Sequence, residues 1–410
     1  MYSQYITRTS TRIYKVTNLE KVYKSKIPKI LIITQVELGD KKNPTMLYMD
    51  KLINNYVGKI IWFSICKIKN WESDTYDFPS AYHPPIDKFS RIPLIKFIIK
   101  YTIGEKYLIL LASRFAKKHN AEVVFSDISS EVLSISRKVA KKVNLPLVSS
   151  IQDDPIARIK SKNYPKFISN HINNEFKKTL AFSKSCGVIS DYMAEYYRIK
   201  YKTNSIQTLY IGTEKRKCLH PRLSLKSKRE IIIGSLGTVH SFDNFENVVK
   251  TVKYLNGIYK DKYFSIRHIG DLPSKYLSLE YVDITGWLSY DEVFKELSLI
   301  DIGLLSVPFE SSKKVTLMTS FPTKVHNLLE AQVPLLGIGP DYSAIVKFIR
   351  DFSCGQVCND ISIQSISSTI DNIINDEDSY EKTKTGLIKA AKHFSRENFY
   401  RNFELLFEGI

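Results

Sequence analysis

Short apolar runs bounded by turn residues recur along the chain, separated by stretches whose apolar positions fall at helical spacing. The first run, PKILIIT at 28–34, lies between Pro28 and the turn-like segment GDKKNPT. It reads as a buried strand, because a continuous apolar run suits a strand covered on both faces. KIIWFSI (59–65), AEVVFSD (121–127), LPLVSSI (145–151) and CGVIS (186–190) repeat the pattern. Between the third and fourth, SSEVLSISRKVAKKVN places Val132, Leu133, Ile135, Val139, Ala140 and Val143 largely on one helical face. Strand and helix in alternation predict a parallel sheet with helices on both sides. The pattern then restarts. REIIIGSLGTVHSF reads as strand, glycine turn and a helix from about Asn244; YFSIRHIGDLP, VDITGW, IDIGLLSVP and VPLLGIGP read as four further strands. The final segment, HFSRENFYRNFELLFEGI, predicts a helix able to pack on either half.

The restart divides the chain. The expected organisation is a basic N-terminal extension (1–27), an N-terminal α/β domain (28–213), a linker (214–230), a second α/β domain (231–390) and a C-terminal helix (391–410) that crosses back toward the first domain. A length of 410 residues agrees with two domains. A hydrophobic content of 43% with 25% charged residues excludes wholesale disorder. MYSQYITRTSTRIYK has no apolar core of a signal peptide, and the longest apolar stretch, 92–112, is interrupted by Lys96, Lys100, Glu105 and Lys106. The five cysteines are scattered, and Cys354 and Cys358 lack partners at zinc spacing. A reduced cytoplasmic protein with neither metal nor cofactor is the resulting expectation.

Charge adds a partner. The net charge is +18, with six basic residues against one acid in 1–28 and seven against two in 214–230. No nucleic-acid-binding motif accompanies these clusters, so nucleic acid is the disfavoured partner. An anionic membrane surface or nucleotide phosphates fit better, with a solvated lysine-rich surface as the plain alternative. The stretch 92–118 mixes apolar residues and lysines, and is either a bilayer-docking segment or a pair of amphipathic core helices.

Three segments carry candidate chemistry. GSLGTVHS (234–241) follows a strand and precedes a helix, so its glycines let backbone approach a phosphate. It is neither a dinucleotide fingerprint nor a Walker sequence. His240 either touches a sugar or phosphate or faces solvent. In VDITGWLSYDEVF, a strand ends at Gly286-Trp287 and Ser289 caps a helix with Asp291 and Glu292 in its first turn. Trp287 either lies where backbone reads a nucleobase or packs under its loop. In SFPTKVHNLLEAQVP, Ser320, Pro322 and Thr323 open a helix whose buried stripe is Val325, Leu328 and Leu329. Lys324 then stands in the first turn, where the helix dipole disfavours a cation; a bound anion would explain it, a snorkelling surface lysine being the alternative.

Taken in order, IIIGSLGTVHSFDN, FSIRHIGDLP, VDITGWLSYDEVFKELSLIDIGLLSVPF and FPTKVHNLLEAQVPLLGIGPDYSAI resemble the donor-binding half of GT-B glycosyltransferases. The similarity is to glycosyltransferase group 1 (family four), in particular bacterial cell-surface polysaccharide enzymes with a Pro-x-Lys helix start. AEVVFSD, LPLVSSIQDDP, CGVISDYMAEYY and LYIGTE resemble the acceptor half, so the likeness covers about 28–400. It implies an α/β fold of two Rossmann-like domains facing each other across a cleft. It also implies transfer of a sugar from a nucleotide-diphosphate donor to a glycan or polyprenyl-linked acceptor, in the manner of a retaining hexosyltransferase, at the cytoplasmic face of the inner membrane. Gly234, Ser235, Gly237 and Thr238 would border the donor diphosphate, with His240 beside them. Gly286 and Trp287 would meet the nucleobase, Pro322, Thr323 and Lys324 the phosphate or sugar, and Asn327 the ribose. One departure stands out. Where the family commonly has two glutamates eight residues apart, this chain has Thr319 and Asn327.

Catalysis on this reading is electrostatic: Lys324 and oriented amides stabilise the leaving diphosphate. With retention, the leaving phosphate takes the acceptor proton. With inversion, a carboxylate must do so, and Asp153 and Asp154 are the candidates, with Asp127 behind them. Two alternatives remain at this point: a nucleotide-sugar epimerase on the same fold, and a catalytically weak scaffold homologue, which the missing acids favour.

Overall fold

A computed structural model describes residues 27–37, 44–56, 58–65, 78–83, 103–128, 132–161, 165–203, 205–213 and 225–410. The basic extension and most of the expected linker lie outside these residues. The chain divides into two compact units, 1–209 with 400–410, and 210–399.

In the first unit the strands are β1 (Ile30–Thr34), β2 (Ile60–Ser64), β3 (Ser80–Tyr82), β4 (Val123–Asp127), β5 (Leu147–Ile151), β6 (Ser185–Val188) and β7 (Ile206–Thr208). Among the described residues they form one parallel sheet in the order β3-β2-β1-β4-β5-β6-β7. The helices are α1 (Pro44–Asn55), α2 (Glu105–Lys118), α3 (Leu133–Val143), α4 (Pro155–Ser161), α5 (Lys166–Phe182) and α6 (Asp191–Tyr201). The five residues of each of β1, β2, β4 and β5 are all buried, which is why these segments read as unbroken apolar runs rather than alternating ones. Leu108, Ala112 and Ala116 of α2 and Val139 and Ala140 of α3 cover one face of this sheet.

The second unit holds β8 (Glu230–Leu236), β9 (Tyr263–Ile269), β10 (Val282–Ile284), β11 (Ile302–Ser306), β12 (Leu335–Ile338) and β13 (Gly355–Cys358). They make a parallel sheet ordered β10-β9-β8-β11-β12-β13. Its helices are α7 (Phe242–Ile258), α8 (Tyr290–Leu299), α9 (Lys314–Thr319), α10 (Lys324–Glu330), α11 (Ala344–Phe352), α12 (Ile363–Asn375) and α13 (Glu377–His393). The sheet order reverses between β8 and β11, and ligands of open parallel sheets bind beyond the strand ends at such a switch point.

A last helix, α14 (Arg396–Leu405), begins in the second unit and ends in the first. Its terminal part is held within the first unit by Phe403, whose ring centroid lies 5.4 Å from Tyr56 and 5.6 Å from Phe125. The Asn402 amide donates to the Thr208 carbonyl at 2.9 Å, and the Ser185 hydroxyl to that of Leu406 at 2.5 Å. Aromatic residues at helical spacing in the sequence therefore have a packing role here.

Candidate functional site

In the second unit, three glycine turns converge beyond the ends of β8, β9 and β10. Gly237 follows β8 with φ +59°, Gly270 follows β9 with φ +134°, and Gly286 follows β10 with φ +70°. Gly270 lies in a region that side chains avoid, and Gly237 and Gly286 take the left-handed conformation that favours glycine. The Gly237 amide donates to the Ile269 carbonyl at 2.8 Å, and Gly270 and Gly286 form an antiparallel bridge. A methyl group on Gly270 would stand 3.3 Å from the Gly237 Cα and 3.3 Å from His268 Nε2. The turns are thus packed backbone to backbone.

Lys324 approaches this surface from the first turn of α10. Its Nζ donates to the Thr238 carbonyl at 2.9 Å, and burial lowers its pKa to about 8. An ammonium brought out of water with a single neutral carbonyl as its hydrogen-bond partner lacks a counter-charge. His240 and His268 register the same cation. The pKa of His240 is lowered, first by partial desolvation and then by Lys324. His268 is fully buried and its pKa falls to about 4, again through burial first and Lys324 second, against a small opposing effect of the Asp271 backbone. Neither of its ring nitrogens makes a hydrogen bond of good geometry. His268 has no signature in the sequence, where it sits inside an apolar strand; its pairing opposite Ser235 is what brings it here.

The base of α10 is rigid. Val325, Leu328 and Leu329 are fully buried, as their spacing predicts, and the His326 ring lies 5.5 Å from Phe394 and 6.0 Å from Phe321. Phe321 stacks on Phe394 at 5.4 Å and Phe394 meets Tyr210 at 3.9 Å. This aromatic cluster fixes the Pro322-Thr323 turn and hence the Lys324 stem. Gln332 closes the helix at φ +53°, a position where glycine is more usual.

The remaining expected residues divide. Thr238 and His240 are exposed beside Gly237, and Trp287 is 75% exposed directly after Gly286, so it does not pack under its loop. Gly234 and Ser235 belong to the buried end of β8 rather than the turn; a methyl on Gly234 would collide with Ile300 at 2.2 Å, which makes that glycine a packing requirement. Asn327 is half-buried, one turn on from Lys324. Thr319 is buried at the end of α9, and its hydroxyl donates to the Val315 carbonyl of its own helix at 2.8 Å.

In the first unit, the corresponding strand edge is acidic. Asp154 is committed to structure: its carboxylate accepts from the Ala157 amide at 2.7 Å, opening α4, and from the Tyr197 hydroxyl at 2.8 Å. Asp127 is buried at the end of β4, and its pKa is pushed up to about 7 by burial and then by Asp153, with Arg158 opposing. Asp153 is exposed as a residue, yet partial desolvation still raises its carboxyl, with Arg158 opposing and Asp154 adding repulsion. The buried Asp127, less prominent in sequence, has the more perturbed environment of the three. Among the described residues no group of three or more His, Cys, Asp or Glu side chains gathers as a metal site.

No family model matches the chain, and no curated protein matches it in sequence. Solved structures do match in fold. HepE of Anabaena, in complex with UDP, is 10% identical and aligns over 93% of this chain and 100% of its own with a TM-score of 0.63. The lipopolysaccharide outer core galactosyltransferase WaaB is 14% identical over 93% of this chain and 99% of its own, with a TM-score of 0.64. A glycosyltransferase of Rickettsia africae is 15% identical over 94% and 99%, also at 0.64. The α/β expectation holds, and the chain has the fold of the GT-B glycosyltransferases, built from two Rossmann-like sheets.

Proposed function

We propose that the protein transfers a sugar from a nucleoside-diphosphate sugar to a glycan or lipid-linked acceptor in cell-surface polysaccharide synthesis. The observation that carries this reading is Lys324, a desolvated ammonium whose hydrogen bond goes to the Thr238 carbonyl beside the Gly237 turn. A diphosphate placed against that turn would supply the missing counter-charge, with the α7 N-terminus adding partial positive charge. The donor nucleotide is assigned as uridine diphosphate, supported by fold neighbours crystallised with UDP and with UDP-glucose. Trp287, exposed after Gly286, would border the base, and Asn327 would hydrogen-bond ribose hydroxyls through its amide. As the sugar–phosphate bond breaks, charge grows on the leaving diphosphate, and Lys324 stabilises it in place. No metal or other cofactor enters this reading.

The acceptor is assigned to the first unit. Retention is the primary outcome, the leaving phosphate taking the acceptor proton. Inversion is the second reading, and Asp127 favours it, since a carboxyl poised near neutrality has the character of a general base. The product anomer, read by NMR, decides between them. Incubation with UDP-sugars tests the function itself: slow donor hydrolysis or transfer that disappears in Lys324→Ala supports a transferase. Donor binding with no turnover for any acceptor would favour a scaffold instead.

A further inference from the structure

We propose that the outward face of α2 is a docking surface for an anionic lipid bilayer. The inward face of this helix is fully accounted for. Leu108, Ala112 and Ala116 pack into the core with β1, β2, β4 and α3, and the buried Glu105 accepts from the Ser134 hydroxyl and, at 2.5 Å, from the Lys138 ammonium. Among the described residues the opposite face has no such partners. Ile103, just before the helix, is 72% exposed, Tyr107 49% and Leu110 36%, and Lys106, Arg114, Lys117 and Lys118 are exposed beside them. At 3.6 residues per turn these positions fall within about a third of the circumference, so they form one continuous surface. Its N-terminal half is apolar with a tyrosine and Lys106, its C-terminal half basic, and no exposed position of α2 carries an acid.

That combination selects the partner. A soluble helix buries its apolar face and shows water its polar one; α2 buries one apolar face and exposes a second. Exposed aliphatic residues contribute little to binding a nucleic acid, whereas a bilayer interface takes apolar side chains into the acyl boundary and lysines at the headgroups. The tyrosine, amphipathic itself, suits the headgroup level between them. Each basic side chain near an anionic surface strengthens partitioning by about fivefold. The chain's net charge of +18 acts in the same direction. Docking would hold the protein where a lipid-linked acceptor lies; in that respect alone the inference rests on the transferase reading.

The test is co-sedimentation of the full chain with phosphatidylcholine vesicles, with and without about one third phosphatidylglycerol. Two variants are compared with the parent protein, Ile103→Ser/Tyr107→Ser/Leu110→Ser and Arg114→Gln/Lys117→Gln/Lys118→Gln. All six positions are exposed, so circular dichroism and melting should remain those of the parent. Binding to the anionic vesicles that weakens at least tenfold in each variant, and with added salt in the parent, supports the proposal. Equal binding by parent and variants would overturn it, as would absence of binding to anionic vesicles. Loss confined to the basic variant, together with equal loss on a soluble polyanion such as heparin, would overturn it in favour of a polyanion site. A UDP-induced thermal shift measured on the same samples reports the donor site separately, so failure of docking and failure of the transferase reading are distinguishable.

Discussion

The two sheets end in opposite chemistry. Beyond β4 and β5 stand three carboxylates, Asp127, Asp153 and Asp154, whereas beyond β8, β9 and β10 stand three glycine turns and a lysine. Topology is nearly the same on both sides, parallel strands under helices, so the difference lies in what each edge was given to hold. A glycine edge offers amides and room, which suits an anion brought close to backbone. An acidic edge offers proton acceptors and repels phosphate, which suits neutral hydroxyls. Lys324 and Asp127 show the same principle with opposite signs. Each is a charge held partly out of water, and in each the neutral form has gained ground.

The largest effect expected from breaking this contrast is at Lys324. Lys324→Ala should lower turnover by about 10²- to 10³-fold, the usual cost of removing one group that stabilises developing negative charge, with melting unchanged or raised because a desolvated cation is removed. Steady-state rates and calorimetry on the same preparation check both parts.

His268 provides a stability test of the glycine edge. Its pKa is about 4 in the folded chain against an ordinary value of 6.5, so between these values the unfolded chain binds the extra proton. Stability from this group is therefore present above pH 6.5 and is lost as pH falls toward 4. At about 1.4 kcal/mol per pKa unit, its full loss is about 3 kcal/mol. Because the raised carboxyl of Asp127 gives the opposite dependence over the same range, the test is a difference: the urea stability of the parent relative to His268→Leu should fall as pH drops from 7 to 4.

Asp154 tests the acidic edge. Asp154→Ala removes the α4 cap and leaves the Tyr197 hydroxyl without its acceptor. A loss of about 2 kcal/mol is expected, read as a lower urea midpoint. The smallest effect is expected at Asp127: if retention operates, Asp127→Asn should change the rate by only about threefold and leave the pH profile intact. A loss of the limb near pH 7 would instead favour inversion.

Much of this architecture was legible in the chain. Strands buried on both faces cannot alternate, so β1, β2, β4, β8 and β12 announce themselves as apolar runs, and the stripe of Val325, Leu328 and Leu329 predicts which side of α10 turns inward. The three-residue strands β3 and β7 left no such mark, because neither SAY nor IQT carries an apolar run, whereas the equally short β10 is marked by the glycine turn after VDIT. The site was legible in part. A lysine in a first helical turn is a local anomaly and could be read locally. The partner of Lys324 lies 86 residues away, and that of Asp154 lies 43 away, so neither contact has a sequence signature. The same holds for Gly234: strand and turn glycines look alike until Ile300 is seen lying over one of them.

The central claim is that Lys324 exists to hold a diphosphate at the glycine turns. Isothermal titration of UDP into the parent protein and Lys324→Ala, at pH 7 and pH 9, tests it most directly. Binding at pH 7 should be saturable and should weaken as the free-state ammonium deprotonates through pH 8. In the variant the affinity should be at least tenfold lower, with little pH dependence left. Equal affinity in parent and variant at pH 7 would contradict it.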